Sequence, residues 1–502
     1  MKVFSAQQVR EIDRYTIEHE PILSIDLMER AANAIFCWIV NSYSSANWFY
    51  IFAGPGNNGG DGVALARMLV EVGYNVKVFV FKTDIAFSSD LAVNIQRLQK
   101  QAIASIVNIS SIDTIPIIPS NVIIVDALFG SGLSRLLEGV SKSIVDQINN
   151  SNAQVVSIDI PSGLFANENP VPNSSSVVKA NFTLSLQFPK LSFFFTENSC
   201  FVGQWIVLPI GLHAKAIKET PTPYQFLNEE FVSNLVRKRL TFDHKGSYGH
   251  CLVVAGSYGM FGAATLSSKA CLKAGAGLVT AHIPRIGYSI MQHSVPEVMV
   301  SVDENDWFLS SVSNVSKYSA IAIGPGLGTE ERTEAALIAF LKNNTKPLVI
   351  DADALNIIAS NKEYINYVSK GAIITPHPGE FDRLFGNSKS GYERLSMAIE
   401  MAQKFEIVIV LKGAFTQIVT PAGNVYFNCT GNPGMATGGS GDVLTGIIVS
   451  LLGQGYSNVN AAIIGVYLHG LAGNIAKKEM GEEAIIASDI IKSLGAAFSS
   501  IH

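Results

Sequence analysis

The chain alternates short apolar runs with helical patterns from end to end, and no other feature limits its folding choices as much. "WFYIFAG" (48–54), "NVKVFVF" (75–81), "NVIIVDA" (121–127), "QVVSIDI" (154–160), "CLVVAGS" (251–257), "YSAIAIG" (318–324), "PLVIDAD" (347–353) and "GAIITPH" (371–377) are the runs in question. They suit strands buried on both faces, which requires helices on either side and predicts parallel sheets of the α/β class. Polar and glycine residues gather where the runs end, in "AGPGNNGGDG", "VDALFGSGLSRL", "IDIPSG", "GPGLG", "DADAL" and "TPHPGEF". Ligands in open α/β sheets collect at such ends, so the sequence marks the side on which a site lies.

At 502 residues the chain has room for several cores, at roughly 100–200 residues per domain. Strand signals stop near "GLHAKAIKETPTPYQFLNEE" (211–230), where Pro221 and Pro223 punctuate the chain and a charged helical stretch, "VSNLVRKRL", leads to "FDHKGSYGH". A glycine-rich loop of phosphate-binding type lies on each side of this seam. Two domains are predicted, 1–217 and 225–502. There is no fixed-period repeat, and low complexity is confined to "NSSS" (173–176).

Composition removes several functions. The 36 basic and 41 acidic side chains give a formal charge of −5, and no run of Lys or Arg offers a local anchor, so nucleic acid is not expected as a partner. Cys37, Cys200, Cys251, Cys271 and Cys429 are scattered without CxxC or Cys/His spacing, which predicts reduced thiols rather than disulfides or a zinc site. The N-terminus "MKVFSAQQVREIDRYTIEHE" is unlike a signal peptide, and "AAIIGVYLHGLAGNIA" (461–476) falls short of the roughly 20 residues of a membrane span. A soluble, cytoplasmic protein without a membrane partner is expected.

The densest glycine loop, "GNPGMATGGSGDVLTG" (431–446), runs into a helical pattern. Val443, Leu444, Ile447, Ile448, Leu451 and Leu452 recur at helical spacing, so the glycines end at a helix N-terminus. Unpaired N–H groups and a positive dipole welcome a phosphate there, and glycine allows close approach. Asp442 could be an N-cap, but a cap needs no Gly-Gly-Ser-Gly before it. A carboxylate beside an anion hole can take a proton from an attacking hydroxyl while the N–H groups hold the transferring phosphoryl charge.

This loop resembles the GxGD motif of the ribokinase-like superfamily, whose Asp is the catalytic base. "KGAFT" (412–416) after "IVIVL" looks like a nucleotide-binding turn and "TPHPGEF" (375–381) like a substrate wall. With "HKGSYGHCLVVAGSYGMFGAATLSSKACLKAGAGLVT" (244–280) and "GPGLG" (324–328), the second half resembles the ADP- or ATP-dependent NAD(P)H-hydrate dehydratases. The resemblance implies that the hydrated dinucleotide lies against Ala263, Gly326, His377 and Asp442. It also implies that ADP or ATP, with Mg2+, lies against Lys412, Gly413, Ala414, Phe415, Thr416 and Gly441. His377 read alone could be a loop histidine that merely packs, and Gly326 a tight-turn residue.

In the first half, "AGPGNNGGDGVALARML" (53–69) follows an apolar strand and opens a helix, the setting that makes a phosphate loop believable. Asp126 ends one strand, "GSGLSRL" (130–136) supplies another glycine turn, and Asp159 and Ser162 end a further strand. Each aspartate alone could be a strand-end hydrogen-bonding residue. Together, and with "LMERAANAI" (27–35) as an N-terminal helix, they resemble the NAD(P)H-hydrate epimerase family, a three-layer Rossmann-like αβα fold. The resemblance implies a potassium ion held by Asn58, Asp126 and Ser162, all hard oxygen donors. It implies substrate contacts at Asn57, Asn58, Gly59, Gly60 and Asp61, at Gly130, Ser131, Gly132, Leu133, Ser134, Arg135 and Leu136, and at Asp159, the expected acid/base group.

The two resemblances imply a repair enzyme, expected as a homo-oligomer. One half would interconvert the epimers of NAD(P)H hydrate, and the other would phosphorylate the hydroxyl of the S epimer so that it leaves as phosphate. Two rivals remain at this point: a ribokinase-like vitamin kinase, and a first half that serves only as a binding scaffold.

Overall fold

The computed structural model describes residues 1–83, 86–169 and 176–502; of the run 173–176, all but Ser176 lies outside the described residues. The chain forms two compact units, an N-terminal one of residues 2–222 with 390–392 and a C-terminal one of residue 1 with 223–389 and 393–502.

In the N-terminal unit, β1 (Trp48–Ala53), β2 (Asn75–Phe81), β3 (Ser105–Ile109), β4 (Val122–Ala127), β5 (Gln154–Ile158), β6 (Phe182–Leu186) and β7 (Gln204–Leu208) form one sheet. Their order is β3-β2-β1-β4-β5-β6-β7, with every pairing parallel. β4 is buried at each position, as the apolar run Val122–Val125 requires of a central strand with a packed layer on both faces. Ile35, Leu65, Leu69 and Leu98 pack one face with Ile51 and Val78; Ile144, Val145 and Ile148 pack the other with Phe52 and Phe79. The order reverses between β1 and β4, so the chain leaves these neighbours toward opposite faces and a crevice opens at their carboxyl ends.

In the C-terminal unit, β8 (Tyr224–Phe226), β9 (His250–Val254), β10 (Leu278–Ile283), β11 (Met299–Val302), β12 (Ala320–Ile323), β13 (Leu348–Ile350), β14 (Ile373–Ile374), β15 (Val408–Leu411), β16 (Gln417–Val419) and β17 (Val425–Phe427) form a second sheet. The order is β11-β10-β9-β12-β13-β14-β15-β16-β17-β8. Only the β15–β16 and β16–β17 pairs are antiparallel, and a second reversal falls between β9 and β12.

Two expectations change. The stretch "VSNLVRKRL" is helical only at its start, because the helix Glu229–Ser233 stops at Asn234, whose side chain donates to the Glu230 carbonyl. Arg237 and Arg239 then leave the helical path for the carbonyls of Gly455 and Gly275 and the rings of Tyr456 and Tyr248. The apolar run 461–476 belongs to a longer helix, Asn458–Met480, which among the described residues is the one helix long and apolar enough to cross a membrane. Ala461, Ile464, Leu468 and Ala472 bury it in the core of the C-terminal unit. All five cysteines are unpaired.

Candidate active sites

In the C-terminal unit the glycine loop ends at the helix Ser440–Gly453, whose N-cap is Gly439 at φ 86° with no side-chain cap bond. A Cβ on Gly439 would sit 2.5 Å from Leu266 Cδ1, so glycine is required both for the left-handed turn and for the space. Asp442 is therefore a first-turn residue and not the cap. Ser440 Oγ lies 3.3 Å from His469 Nε2, and burial holds that imidazole down at about 4, so it is neutral and the hydroxyl donates to it.

The loops after β13, β14 and β15 complete the site. Lys412 Nζ is 2.9 Å from Asp351 Oδ1 and 3.7 Å from Glu380 Oε2, and it lies 3.5 Å from where a Cβ on Gly441 would be. Its ammonium thus faces the N-terminus of the Ser440–Gly453 helix. Burial works against the Lys412 charge, but Asp351 and Glu380 outweigh it and hold the group above its ordinary value. Asp351 is 1% exposed and accepts from Thr445 Oγ1 at 2.7 Å, tying lysine and helix together. Asp442 is pushed up to about 7, first by burial and then by the charges of Asp351 and Asp353, against the pull of Lys412. That value suits a general base at neutral pH.

After β12, Gly326 at φ 63° comes against the helix Phe261–Lys273, where its Cβ would lie 3.0 Å from that of Ala263. The loop is held by Ser257 Oγ, which donates to Gly326 O at 2.9 Å, and by Asp353, which accepts from Gly328 N at 2.9 Å. His377 caps the helix Pro378–Phe385 in a reciprocal capping box with Glu380, and its side chain is half exposed. The turn Lys412–Thr416 joins the antiparallel strands β15 and β16, closed by Thr416 Oγ1 donating to Gly413 O at 3.0 Å. Ala263, Gly326, His377, Lys412 and Asp442 thus all stand at the carboxyl ends of strands in one sheet.

In the N-terminal unit the helix Asn57–Glu71 begins directly after β1. A Cβ on Gly54 would overlap the Leu128 carbonyl, and one on Gly59 the Gly54 carbonyl, so glycine lets this helix start against β4. Asn58 is buried, its Nδ2 without a partner, and its Oδ1 lies 3.2 Å from where a Cβ on Gly130 would be. Asp126 is fully buried and accepts from Ser162 Oγ at 2.6 Å, Ser157 Oγ at 2.8 Å, Ser162 N at 2.9 Å and Leu128 N at 3.3 Å. Burial nonetheless raises its pKa, with the bonds from Ser162 and Ser157 opposing.

Asp159 follows β5 at φ 66°, an uncommon conformation for a residue other than glycine. Its Oδ2 accepts from Ser131 N at 3.2 Å, and its Oδ1 pairs with Lys190 Nζ at 2.6 Å. Burial would raise this carboxyl, but Lys190 and Ser131 outweigh it and hold it below the usual range. Asp61 moves the other way, well above that range, through burial and the charges of Asp159, Asp13 and Asp90; burial and Asp159 lift Asp13 to about 6. A cavity of about 340 Å³ adjoins the site, lined by Arg10, Ser131, Gly132, Leu133 and Phe165. Ser134, Arg135 and Leu136 are exposed.

Two family models match in chain order: "YjeF-related protein N-terminus" over residues 24–192 and "NAD(P)H-hydrate dehydratase" over residues 251–495. The bifunctional NAD(P)H-hydrate repair enzyme Nnr of Moorella thermoacetica is 35% identical across 98% of this chain and 96% of its own length. The chain belongs to the bifunctional NAD(P)H-hydrate repair enzyme family. The Escherichia coli member is 32% identical over 98% of this chain and 93% of its own. A ribokinase-like superfamily protein from Enterococcus faecalis, 27% identical, matches 56% of this chain and 98% of its own with a TM-score of 0.50.

Sequence reading did not single out Asp13, Lys190, Asp351, Glu380, Thr445 or His469 as site residues. Asp351 and Glu380 stand in "DADAL" and "TPHPGEF", strand-end segments whose position alone was a signal. Lys190, Thr445 and His469 carried none.

Proposed function

We propose that this repair enzyme restores hydrated nicotinamide cofactors in two steps, with the C-terminal unit as an ADP- or ATP-dependent dehydratase of the S epimer and the N-terminal unit as an epimerase. The observation that carries the reading is the pairing of Asp442, raised to about 7, with the Lys412 ammonium at the glycine-bounded N-terminus of a helix.

In the dehydratase site the C6 hydroxyl of the S epimer gives its proton to Asp442 as its oxygen attacks the terminal phosphorus of the nucleotide. The bond to the bridging oxygen breaks, and the nucleotide departs one phosphate shorter. Lys412 and the free N–H of Gly441 at the helix N-terminus face the charge that develops on the phosphoryl oxygens. The lone pair of N1 then expels phosphate from C6, and loss of a proton from C5 returns the dihydropyridine. Gly326 and Ala263 leave room for the dinucleotide against the loop after β12, with His377 beside it, and the turn Lys412–Thr416 holds the adenine nucleotide. Mg2+ would arrive on the nucleotide's phosphates and offset their charge.

The hydrate is a carbinolamine, carrying hydroxyl and ring nitrogen on one carbon, so its stereocentre inverts by opening and reclosing the C6–N1 bond. Asp159 takes the hydroxyl proton, the C6–N1 electron pair goes to nitrogen, and the protonated carboxyl of Asp61 supplies the proton that nitrogen needs. Rotation of the resulting aldehyde and the reverse transfers give the other epimer. Two titratable groups pushed apart by their surroundings mark such an acid and base. Asn58 Oδ1, Ser162 Oγ and the carboxylate of Asp126 are hard oxygen donors, and the full burial of that carboxylate fits a weakly hydrated cation such as K+. Held there, the ion would offset the buried Asp126 charge. We place the enzyme in the cytoplasm, in keeping with its unpaired thiols.

Phosphorus NMR of a single turnover on hydrated NADH with ADP or ATP tests the reading. Free phosphate and reduced cofactor should form in equal amounts. A lasting phosphate ester without free phosphate would instead identify a small-molecule kinase.

A further inference from the structure

The acid and base proposed for the N-terminal unit leave one buried charge without a role. Lys190 is 3% exposed, and lysine is almost never so deeply buried unless paired. Its ammonium lies 2.6 Å from Asp159 Oδ1 and donates to the Phe188 carbonyl at 3.3 Å. A buried ion pair recovers its desolvation cost poorly, so an apolar pair would hold the fold as well. Its partner Asp159 also adopts a left-handed backbone conformation that glycine would adopt without strain. Two unfavourable choices at one point, beside the loop 130–136, are better explained by function than by stability.

We propose that Lys190 is a positioning residue for epimerisation: its ammonium fixes one oxygen of Asp159 so that the other is presented, ionised, at the loop after β4. The inference rests on the epimerase reading. The groups facing Asp159 account for the geometry. Lys190 comes from the segment after β6, the Leu186 amide from β6 itself at 3.4 Å, and the Ser131 amide from the loop after β4. Asp13, from the helix Ala6–His19, and Asp61, from the helix Asn57–Glu71, also face it, and the charge of Asp159 helps to raise the proton affinity of both. Lys190 is the one cation among these groups, so without it Asp159 would hold its proton to higher pH and fail as a base near neutrality.

The test uses the full-length enzyme and follows interconversion of the two hydrate epimers by chromatography across pH 5–9, with dehydration measured on the same samples. Lys190→Met should lose epimerisation by about tenfold or more at pH 7, as expected when a positioned base is mostly protonated. It should regain much of it by pH 9 and leave dehydration unchanged, while Lys190→Arg should keep the wild-type acid limb. The double variant Asp159→Asn/Lys190→Met buries no unpaired charge, which guards against misfolding of the single one, and should be no slower than Asp159→Asn. A uniform loss at every pH, or a double variant slower by the product of the two single effects, would overturn the role. Wild-type protein that dehydrates but does not speed epimerisation would sink the epimerase reading and Lys190 with it.

Discussion

Replacing Asp442 with Asn should destroy dehydration and stabilise the C-terminal unit, and the size of the second effect follows from the position of the carboxyl. Burial and the charges of Asp351 and Asp353 lift its pKa from 3.8 to about 7. Below pH 3.8 both folded and unfolded chains carry the proton, and Asp442 adds no pH-dependent cost. Between pH 4 and 7 the unfolded chain has released the proton while the folded one keeps it, so the cost of folding grows with pH. Above 7 both are ionised, and the full cost is present. At 1.36 kcal/mol per pKa unit this is about 4 kcal/mol, or about 2–4 kcal/mol once water at the partly open side chain is allowed for. Asn keeps the shape and removes the charge. Amide exchange of β9 and β12 in the ligand-free variant, which reports opening of the core, should slow by about 30- to 700-fold at pH 8, a tenfold change being 1.4 kcal/mol. The gain should vanish below pH 4. Dehydration should fall by about two to four orders of magnitude, and the wild-type rate should drop tenfold per pH unit below 7. A pH-independent difference, or none at pH 8, would show that Asp442 is an ordinary carboxylate and not a base held near neutrality.

Lys412→Met should lose dehydration by at least about 100-fold, the usual worth of one charge-stabilising group, and shift the acid limb of its rate profile to higher pH, because the cation that lowers Asp442 is gone; steady-state rates across pH 6–9 test both. Gly439→Ala forces a side chain into a left-handed turn 2.5 Å from Leu266 and should slow dehydration at least about tenfold with epimerisation intact, as judged by assaying both activities. Asp126→Asn replaces one of the two oxygens that together accept four hydrogen bonds with a donor amide and should abolish epimerisation, with the N-terminal unit melting earlier in calorimetry. Exchanging K+ for tetramethylammonium should lower wild-type epimerisation, and an unchanged rate would remove the cation from that site.

What could be read from the sequence follows from the range of the interactions. β1, β2, β4, β9 and β12 announce themselves because a strand covered on both faces is dominated by apolar residues. β6 does not, since Thr183 and Ser185 break its run; both hydroxyls are buried and donate to the carbonyls of Val202 and Phe188, so the polar atoms are satisfied in a way no composition reveals. The glycine loops were legible because close approach of backbones requires that residue wherever it occurs. The charges that tune the sites were not: Lys412 meets Asp351 from 61 positions away, and Thr445 meets the same carboxylate from 94. Asp159 and Lys190 stand on successive strand ends that only parallel pairing of β5 and β6 brings together.

Asp442 shows how a local reading can find the residue and leave its task undecided. Just before an apolar helix, an aspartate is what an N-cap looks like, and a capping carboxylate gives its lone pairs to N–H groups of its own helix. Here Gly439 takes the cap position with no side chain to offer, and Asp442 falls in the first turn, where the charges of Asp351 and Lys412 act on it. Had it capped the helix, backbone hydrogen bonds would have stabilised its charged form and lowered its proton affinity. Moved inside the helix, it faces burial and like charges instead, and these raise its pKa to about 7. In the proposed mechanism the glycine at the cap therefore serves the base, because it makes the turn a side chain would resist and leaves the carboxylate free to accept a proton from a substrate hydroxyl.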